Sequence, residues 1–465
     1  MHRFLVLLLL LSVTGLAAPS RPNVVLIISD DQGYPDLGCI GSKPLITPNL
    51  DKLAAEGVRG TSFYVTWPAC TPSRGSVLTG RYPQRNGLYD MVRNDMVNFG
   101  HLYSPEEYAV SPEMTLGLDV REVTIGDMLQ KAGYATGCVG KWDMGQAKRY
   151  LPLQRGFDYF YGHGNNGIDY HTHERYGVPS LFRGNERTQE DKGTYVTDVF
   201  RREALRFVNE QAGKKPFFLY LAFNAPHGAS SFGQGTEEGQ KKVAEGVQAP
   251  EKYVALYRGK VKDEKLARYC GAVTCMDEAI GALMGAVEKS GQKDNTLFLF
   301  LSDNGGSGNG GNAPLKGSKS MMWEGGLRVP FIASWPGKLP VGKVTDEFLT
   351  SLELVPTLLA ATGAKGAEGV RLDGFDMLPV LRGEAKSERT EMFWQRRSDK
   401  AARFGNWKWL DSARGSGLYD LSTDPGEKSD LTLEKPEIAK MMRERFATWR
   451  AAMDASEPRG PFRDY

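Results

Sequence analysis

The chain has 465 residues, of which 41% are hydrophobic, so it can bury a large core and form one large domain with a smaller one. Its 58 Lys and Arg residues nearly balance its 56 Asp and Glu residues, and a formal net charge of +2 gives no bulk electrostatic reason to bind nucleic acid or a membrane surface. Five cysteines are too few, and odd in number, for the disulfide scaffold of a small exported protein.

The N-terminus has the layout of a secretory signal peptide. A basic start precedes an apolar run from Phe4 to Leu11, and small residues follow as far as Ala18. We therefore predict that residues 1–18 are a cleaved signal and that the protein is exported, to the periplasm or the medium. No later segment approaches the roughly 20 apolar residues of a membrane-spanning helix, so no transmembrane segment is expected.

Five short apolar runs have the composition of buried strands, and helical patterns separate most of them. The runs are Val24 to Ile28, Ala135 to Val139, Phe217 to Phe223, Thr296 to Leu301 and Val329 to Ser334. Thr47 and Thr124 are typical N-caps of two of the intervening helices. The alternation predicts an α/β fold with a doubly wound, mostly parallel sheet, which we assign to a catalytic domain over residues 19–365.

Residues 366–465 have a different pattern. Short alternating segments such as Arg403 to Leu410 and Gly417 to Leu421 indicate antiparallel strands, and a helical pattern runs from about Glu437 to Met453. These features predict a smaller C-terminal α+β domain.

Polar side chains follow four of the predicted strands, where open α/β sheets bind their ligands. The strand ends carry Asp30-Asp31, Lys141-Trp142-Asp143, His227 and Asp303-Asn304. Carboxylate and amide oxygens form a set that suits a hard divalent ion, and calcium better than zinc. The alternative for each pair alone is a solvated turn.

Cys70 precedes a plausible helix, so it is predicted to lie at a helix N-terminus, where backbone N–H groups favour anions. Arg74, one turn further on, would add a cation. A buried structural cysteine and a reactive thiolate are the two alternatives.

The run from Cys70 to Arg74, Cys-Thr-Pro-Ser-Arg, resembles the Cys-x-Pro-x-Arg signature of type I sulfatases, an arylsulfatase-like family of the alkaline phosphatase superfamily. In that family the cysteine is oxidised enzymatically to formylglycine. The resemblance extends from about Asn23 to Trp409. Its further blocks, in the family order, are Asp30-Asp31, Gly140-Lys141-Trp142, Ala225-Pro226-His227, Ser302-Asp303-Asn304-Gly305, Leu315-Lys316-Gly317 and Glu324-Gly325-Gly326.

The family roles, carried over to matching positions, imply a site around a modified Cys70. Its hydrated aldehyde would bind Ca²⁺, and the other implied ligands are Asp30, Asp31, Asp303 and Asn304. One hydroxyl would attack sulfur with Asp303 as base, and sulfate would then leave by elimination. His227 and Lys316 would hold the sulfate and protonate the departing alcohol oxygen. Lys141 and Arg74 would stabilise the aldehyde hydrate.

Asp143 departs from the family pattern, which has a histidine two places after the lysine of the Gly-Lys-Trp block. That histidine is taken to assist elimination, and a carboxylate accepts a proton but cannot act as a cation. The loop-like stretch from residue 162 to residue 177 contains three histidines that could replace it. Its segment Asp169 to Arg175 also resembles a substrate-side segment of glycan sulfatases. We therefore predict that His171 and His173 contact substrate, with ordinary surface histidines as the alternative.

The function implied is removal of sulfate from a sulfated carbohydrate or aryl sulfate, after maturation by a formylglycine-generating or sulfatase-maturating enzyme. Two alternatives remain at this point. One is a phosphoesterase of the same superfamily. The other is a catalytically impaired homologue that binds sulfated glycans, because Asp143 replaces the expected histidine.

Overall fold

A ten-stranded sheet organises the larger part of the chain in the computed structural model, which describes residues 21–237, 240–244, 246–308, 310–457 and 459. The predicted signal peptide, residues 1–18, lies outside the described residues. The strands are β1 Asn23–Ser29, β2 Val58–Gly60, β3 Phe63–Tyr64, β4 Ala135–Lys141, β5 Tyr159–His163, β6 Glu174–Arg175, β7 Val178–Pro179, β8 Leu181–Arg183, β9 Glu186–Arg187, β10 Phe217–Ala222, β11 Ser231–Glu237, β12 Gln240–Ala244, β13 Thr296–Ser302, β14 Phe331–Ser334, β15 Lys343–Thr345, β16 Leu349–Thr350, β17 Glu391–Arg396, β18 Asp399–Phe404, β19 Trp407–Ser412 and β20 Gly415–Asp420.

Helices separate most of these strands, as the sequence pattern predicts. They are α1 Pro48–Ala55, α2 Cys70–Thr79, α3 Pro83–Asn86, α4 Pro105–Ala109, α5 Pro112–Thr115, α6 Ile125–Lys131, α7 Val196–Gln211, α8 Glu251–Val254, α9 Glu264–Lys289, α10 Glu324–Leu327, α11 Leu354–Thr362, α12 Leu378–Arg382 and α13 Pro436–Asp454. Thr47 and Thr124 precede α1 and α6 as expected, and the Thr124 side chain forms a capping box with Asp127.

The strand order in the main sheet is β15-β2-β14-β13-β1-β10-β4-β5-β8-β9. The five central strands β13, β1, β10, β4 and β5 are parallel, so their carboxyl ends share one edge. All five predicted strands are present, and the α/β fold is confirmed. The last of them, β14, pairs antiparallel with β13, because the chain re-enters the sheet at the same edge at which β13 ends.

Alternate residues of the central strands pack on opposite faces. Val25 and Ile27 belong to the core cluster that includes α1, α7 and α9, whereas Val24 and Leu26 belong to the cluster that includes α2, α6 and α11. Because both faces are covered by helices, the central strands are mainly apolar between their polar ends, and such runs can be recognised in the sequence.

One described helix, α9, is long and apolar enough to cross a membrane by length and composition alone. This differs from the expectation that no such segment exists. It is a core helix, since 67% of its most apolar window is buried and it packs against α1, α7 and α8. Cys270 and Cys275 are buried on it, and all five cysteines are unpaired.

The C-terminal part contains the antiparallel sheet β17-β18-β19-β20, against which α13 packs. Its core merges with side chains of the larger part, among them Tyr64, Trp323 and Phe348. Lys408 of β19 reaches between the carboxylates of Glu324 and Glu427, at 2.9 Å from each, and all three side chains are fully buried. The two parts therefore share a core and a buried ionic cluster. The predicted boundary at residue 365 stays a prediction.

Candidate active site

Cys70 begins α2, and all ten residues of this helix are buried. Ala69 before it is extended, with φ −161° and ψ 168°, so the chain enters the helix abruptly and Cys70 lies at its positive end. The Cys70 Sγ atom lies 3.4 Å from Asp30 Oδ1 and 4.0 Å from Asp31 Oδ1. The predicted nucleophile position therefore lies beside two of the predicted metal ligands.

Two buried cations hold the carboxylates on one side of Cys70. Lys141, at the end of β4, places Nζ 2.6 Å from Asp30 Oδ2. Arg74 places its Nη2 atom 2.7 Å from Asp303 Oδ2 and donates from Nη1 to the Lys141 carbonyl. This arrangement orients Arg74 and Lys141 toward the same region, as the sequence predicts.

Asp31, Asp303 and Asn304 form the other side of the cluster. The Asn304 amide nitrogen donates to Asp31 Oδ1 at 2.8 Å, and the Asp31 backbone N–H donates to Asp303 Oδ1 at 3.2 Å. Asn304 Oδ1 is buried and has no hydrogen-bond partner among the described residues. An unpartnered amide oxygen beside several carboxylates fits a calcium site, because Ca²⁺ takes all-oxygen ligands.

The pKa values of Asp30 and Asp31 also fit a bound cation. Burial and the charge of Asp303 raise the pKa of Asp30 to about 8 despite the neighbouring Lys141. Burial opposes ionisation of Asp31, but the ammonium of Lys319 and the imidazole of His227 hold its pKa below the usual range. Asp30 therefore sits where a further cation would stabilise its ionised form.

The lysine beside Cys70 is Lys319, which the sequence analysis missed, and not Lys316. Lys319 Nζ lies 2.6 Å from Asp31 Oδ1 and 3.2 Å from Cys70 Sγ. Lys316 Nζ instead lies 3.6 Å from the centre of the Trp323 ring and donates to the Glu427 carbonyl. Positive φ values at Gly317 and Ser320 reverse the chain between and after the two lysines, so they point to different places.

Asp143 follows β4 and has a φ of 57°. Its side chain contacts Thr71, the residue after Cys70. Its Oδ1 atom accepts hydrogen bonds from Thr71 Oγ1 at 3.0 Å and from Asn166 Nδ2 at 2.7 Å, and its Oδ2 atom lies 3.7 Å from Lys141 Nζ. Burial raises the pKa of Asp143. The Asp143 carboxylate thus contacts the helix that Cys70 begins, and Lys141 neutralises its charge in part.

His227 lies 3.7 Å from Asp31 through Nε2 and joins Asp30, Asp31 and Cys70 in one group whose ligand atoms are all within 4.8 Å of one another. Its Nδ1 atom lies 2.6 Å from the Gly228 carbonyl, which can only accept, so Nδ1 carries a proton. Burial and Lys319 hold the pKa of His227 well below its usual range. Nε2 is therefore the ring nitrogen available to a substrate.

A cavity of about 170 Å³ opens beside His227 and Lys319. Arg175 and Tyr176 line it, but His171 and His173 do not. His171 is exposed against Tyr195, and the His173 side chain is buried with Nε2 at 2.8 Å from the Thr194 carbonyl.

Neither histidine lines this cavity, to which the same segment contributes an arginine and a tyrosine instead, and their contact with substrate stays a prediction. Asp169 accepts from the backbone N–H groups of residues 171 and 172, which folds the two histidines away from the cavity. The third histidine of the stretch, His163, is buried at the end of β5 beside Lys141 in register.

The chain matches known proteins over nearly its whole length. Residues 22–364 match the family model described as Sulfatase, and residues 317–452 match the one described as N-sulphoglucosamine sulphohydrolase, C-terminal. Arylsulfatase A of Homo sapiens is 32% identical, with 98% of this chain and 92% of that protein covered. N-acetylgalactosamine-6-sulfatase of Canis lupus familiaris is 32% identical, with 87% and 76% covered.

A solved structure gives the same result. The crystal structure of Ps i-CgsB is 32% identical with a TM-score of 0.80, covering 92% of this chain and 93% of that one, and a second crystal structure of that protein contains k-i-k-neocarrahexaose. The family model spans most of the chain, and the relatives exceed 30% identity over most of its length. The chain is therefore a sulfatase, a member of the formylglycine-type sulfatase family in the alkaline phosphatase superfamily.

Proposed function

We propose that this sulfatase removes sulfate from a sulfated carbohydrate, using a formylglycine made from Cys70 and a bound calcium ion. The observation that supports the proposal best is the convergence of Arg74, Lys141 and Lys319 with the buried carboxylates around the Cys70 side chain. The three cations balance the charges of Asp30, Asp31 and Asp303, so a bound calcium ion would give the site the net positive charge that suits an anionic sulfate.

The state of the Cys70 thiol argues for its modification. Burial and the charge of Asp30 raise the pKa of this thiol well above its ordinary value. A thiol that resists ionisation is a poor nucleophile, which disfavours the reactive thiolate as an alternative. As formylglycine, the residue would supply a hydrated aldehyde whose hydroxyl attacks sulfur and whose carbonyl state lets sulfate leave.

Asp30, Asp31, Asp303 and Asn304 would hold the calcium ion, which would supply positive charge to the hydroxyl group and to the sulfate oxygens. Asp303 accepts from Arg74 and from the Asp31 backbone, so its carboxylate is fixed in orientation, and we assign to it the role of base for the attacking hydroxyl. Arg74 and Lys141 position the residue at 70 by holding the carboxylates that surround it.

Lys319 and His227 line the cavity, so a substrate that binds there would meet both side chains. We assign to Lys319 the sulfate-holding role that the motif suggested for Lys316. Next to bound sulfate, the negative charge favours protonation of His227 at Nε2, and this proton can pass to the departing alcohol oxygen. Asp143 is placed to accept a proton in the release of sulfate.

The substrate class follows from the relatives. Of the relatives above 30% identity, one is named N-acetylgalactosamine-6-sulfatase and one was crystallised with k-i-k-neocarrahexaose, whereas a third is named arylsulfatase A. We propose a sulfated carbohydrate as the natural substrate and an aryl sulfate as the test substrate. We further propose export to the periplasm or medium and maturation by a formylglycine-generating or sulfatase-maturating enzyme. A phosphoesterase and a non-hydrolysing glycan-binding homologue are not favoured by the comparisons.

Two measurements test the proposal on protein co-expressed with a formylglycine-generating enzyme. Mass spectrometry of the tryptic peptide Gly60 to Arg74 should show an aldehyde in place of the thiol. The same protein should hydrolyse 4-nitrophenyl sulfate and lose this activity when calcium is chelated. Turnover that persists in a Cys70→Ala variant would refute the proposed nucleophile.

A further inference from the structure

The cavity beside Cys70 receives a cation from the C-terminal sheet. Arg396 is the last residue of β17, and it lines the cavity together with Lys319 and His227. The hairpin turn that follows occupies only two residues, with Arg397 at φ 55°, so Arg396 is held close to a tight turn. A residue of the smaller domain thus faces the space that a substrate would occupy.

Arg396 differs in its charge pairing from the other cations that line this cavity. Arg93 pairs closely with Asp95, Arg175 with Glu113 at 2.6 Å, and Lys319 with Asp31 at 2.6 Å. The ion pair of Arg396 with Asp399 is long, at 3.9 Å. Its Nε atom is buried and has no hydrogen-bond partner among the described residues.

The guanidinium of Arg396 is nevertheless held in place. It lies over the Trp67 ring, 5.6 Å from the centroid, and its Nη1 atom donates to the Ser320 carbonyl at 3.4 Å. Trp67 Nε1 donates to the Gln395 carbonyl at 2.9 Å, which fixes the hairpin to the segment that leads into Cys70. A positioned cation with little charge compensation is a binding group for an anion.

The environment of Arg396 supports this interpretation. Burial and the positive charge of Arg397 lower the pKa of Arg396, in contrast to Arg175, whose pKa Glu113 raises. The two cavity-lining aspartates compensate the charge of Arg396 only in part, because Asp90 is paired with Arg397 at 3.0 Å and Asp95 is paired with Arg93.

We propose that Arg396 binds a second anionic substituent, a sulfate or a carboxylate, on the saccharide whose sulfate ester lies at position 70. The preferred substrates are then saccharides that carry two anionic groups. This inference rests on the proposed function, since it assumes that the cavity holds a sulfated sugar.

Competition against 4-nitrophenyl sulfate tests the inference on the formylglycine-loaded enzyme. The inhibitors are a monosulfated hexosamine, a disulfated hexosamine, and a monosulfated disaccharide that contains a uronic acid. With wild-type enzyme, we expect at least one of the two dianionic sugars to have an inhibition constant at least about tenfold below that of the monosulfated sugar. A lower inhibition constant for the disulfated hexosamine would identify the second group as a sulfate, and one for the disaccharide with the uronic acid would identify it as a carboxylate.

Arg396→Gln should abolish this ratio, and because the ratio compares inhibitors on one and the same variant, a change in its KM for 4-nitrophenyl sulfate does not affect the comparison. Arg396→Lys, which keeps the charge but not the fork of donors, should restore part of the ratio. Arg443→Gln removes an exposed charge from α13 without touching the cavity, and it should leave the ratio as in the wild type. An equal ratio in the wild type and Arg396→Gln would overturn the inference, as would a wild-type ratio near one.

Failure of the proposed function would be seen separately, as absence of aryl sulfate turnover by the loaded wild type. Calorimetric titration of the same three sugars into Cys70→Ser protein then measures the affinity ratio without catalysis. A ratio that depends on Arg396 supports the inference, and one that does not overturns it.

Discussion

At the scale of single residues, the two lysines Lys316 and Lys319 show why spacing alone does not identify a functional group. They lie three residues apart in the segment before Glu324, and either one fits a pattern of a lysine upstream of Glu-Gly-Gly. Backbone turns at Gly317 and Ser320 send one lysine to Trp323 and the other to Cys70. These φ values depend on tertiary packing, so the sequence offered no basis for choosing.

This difference leads to the first prediction. Lys319→Ala should lower kcat/KM for an aryl sulfate by about a hundredfold or more, because it removes a partly buried cation next to the reacting position. Lys316→Ala is the matched control, and it should keep kcat/KM within a few-fold of the wild type while lowering the melting temperature slightly. Steady-state kinetics and thermal unfolding of both variants decide the assignment. A larger loss of kcat/KM in Lys316→Ala than in Lys319→Ala would show that Lys316 is the active-site lysine.

Asp143 gives a second prediction at the same scale. Its Oδ1 atom is tied to Thr71 and Asn166, and Lys141 lies near Oδ2, so Asn can replace it with little change of shape. If Asp143 accepts a proton during sulfate release, Asp143→Asn should release one equivalent of nitrophenol per enzyme in a rapid burst and then turn over at least about tenfold more slowly. Stopped-flow absorbance measures both phases. A slow steady state without a burst would place Asp143 in an earlier step.

At the scale of elements, the central strands and their polar ends could be predicted because both faces of the sheet are covered. Strands such as β1 and β13 are then continuous apolar runs, and parallel strands bring their carboxyl ends to one edge. This is why Asp30, Lys141 and Asp303 were found together. Arg175 and Arg396 could not be found in this way, because they come from a loop-like stretch and from a hairpin of another sheet.

A buried ionic cluster joins elements of the two parts of the chain. Lys408 of β19 pairs in it with Glu324 of α10 and with Glu427. One ammonium serves two carboxylates, so one of them is under-compensated. Burial is the main cause that raises the pKa of Glu427 to about 7, whereas Lys408 holds the pKa of Glu324 below its usual range. The coupling assigns the extra proton to Glu427.

A third prediction follows for the pH dependence of stability. Between the ordinary glutamate pKa of about 4.3 and the folded pKa of about 7, folded Glu427 binds a proton that the unfolded chain has lost. The free energy of unfolding should therefore fall across this interval as pH rises. Glu427→Gln cannot lose a proton, so its melting temperature relative to the wild type should rise between pH 5 and pH 8.

Differential scanning fluorimetry at several pH values measures this difference. Glu434→Gln, which removes an exposed carboxylate from the same region, is the control. A constant offset between Glu427→Gln and the wild type over the whole pH range would show that Glu427 does not take up a proton on folding.

At the scale of the whole molecule, the site is assembled from segments far apart in the chain. Asp31 follows the first strand, Cys70 begins a helix on one face of the sheet, and Asn304 follows a strand more than 230 residues later. The C-terminal sheet holds the segment before Cys70 through Trp67 and the segment after Lys319 through Ser320. A substitution that distorts the C-terminal sheet would therefore also disturb the active site.

An ion bound by these distant segments would stabilise the whole fold, because the unfolded chain cannot bring the ligands together. We predict that Ca²⁺ at about a hundred times its dissociation constant raises the melting temperature by about 3 °C or more over chelated protein. Unmodified Cys70 protein should show most of the shift, since the carboxylates and Asn304 supply the other ligands. Mg²⁺ should give a smaller shift, because it demands a tighter octahedral set than a loose cluster of side chains provides.

Asn304→Ala separates calcium binding from a general effect of divalent ions. The substitution removes the buried Oδ1 atom that has no partner, and it also removes the hydrogen bond to Asp31. The variant should therefore lose most of the calcium-dependent rise in melting temperature, whatever its own stability under chelation. A full calcium shift in Asn304→Ala, or equal shifts with Ca²⁺ and Mg²⁺ in the wild type, would mean that the ion binds elsewhere and that the unpartnered amide oxygen does not mark a ligand.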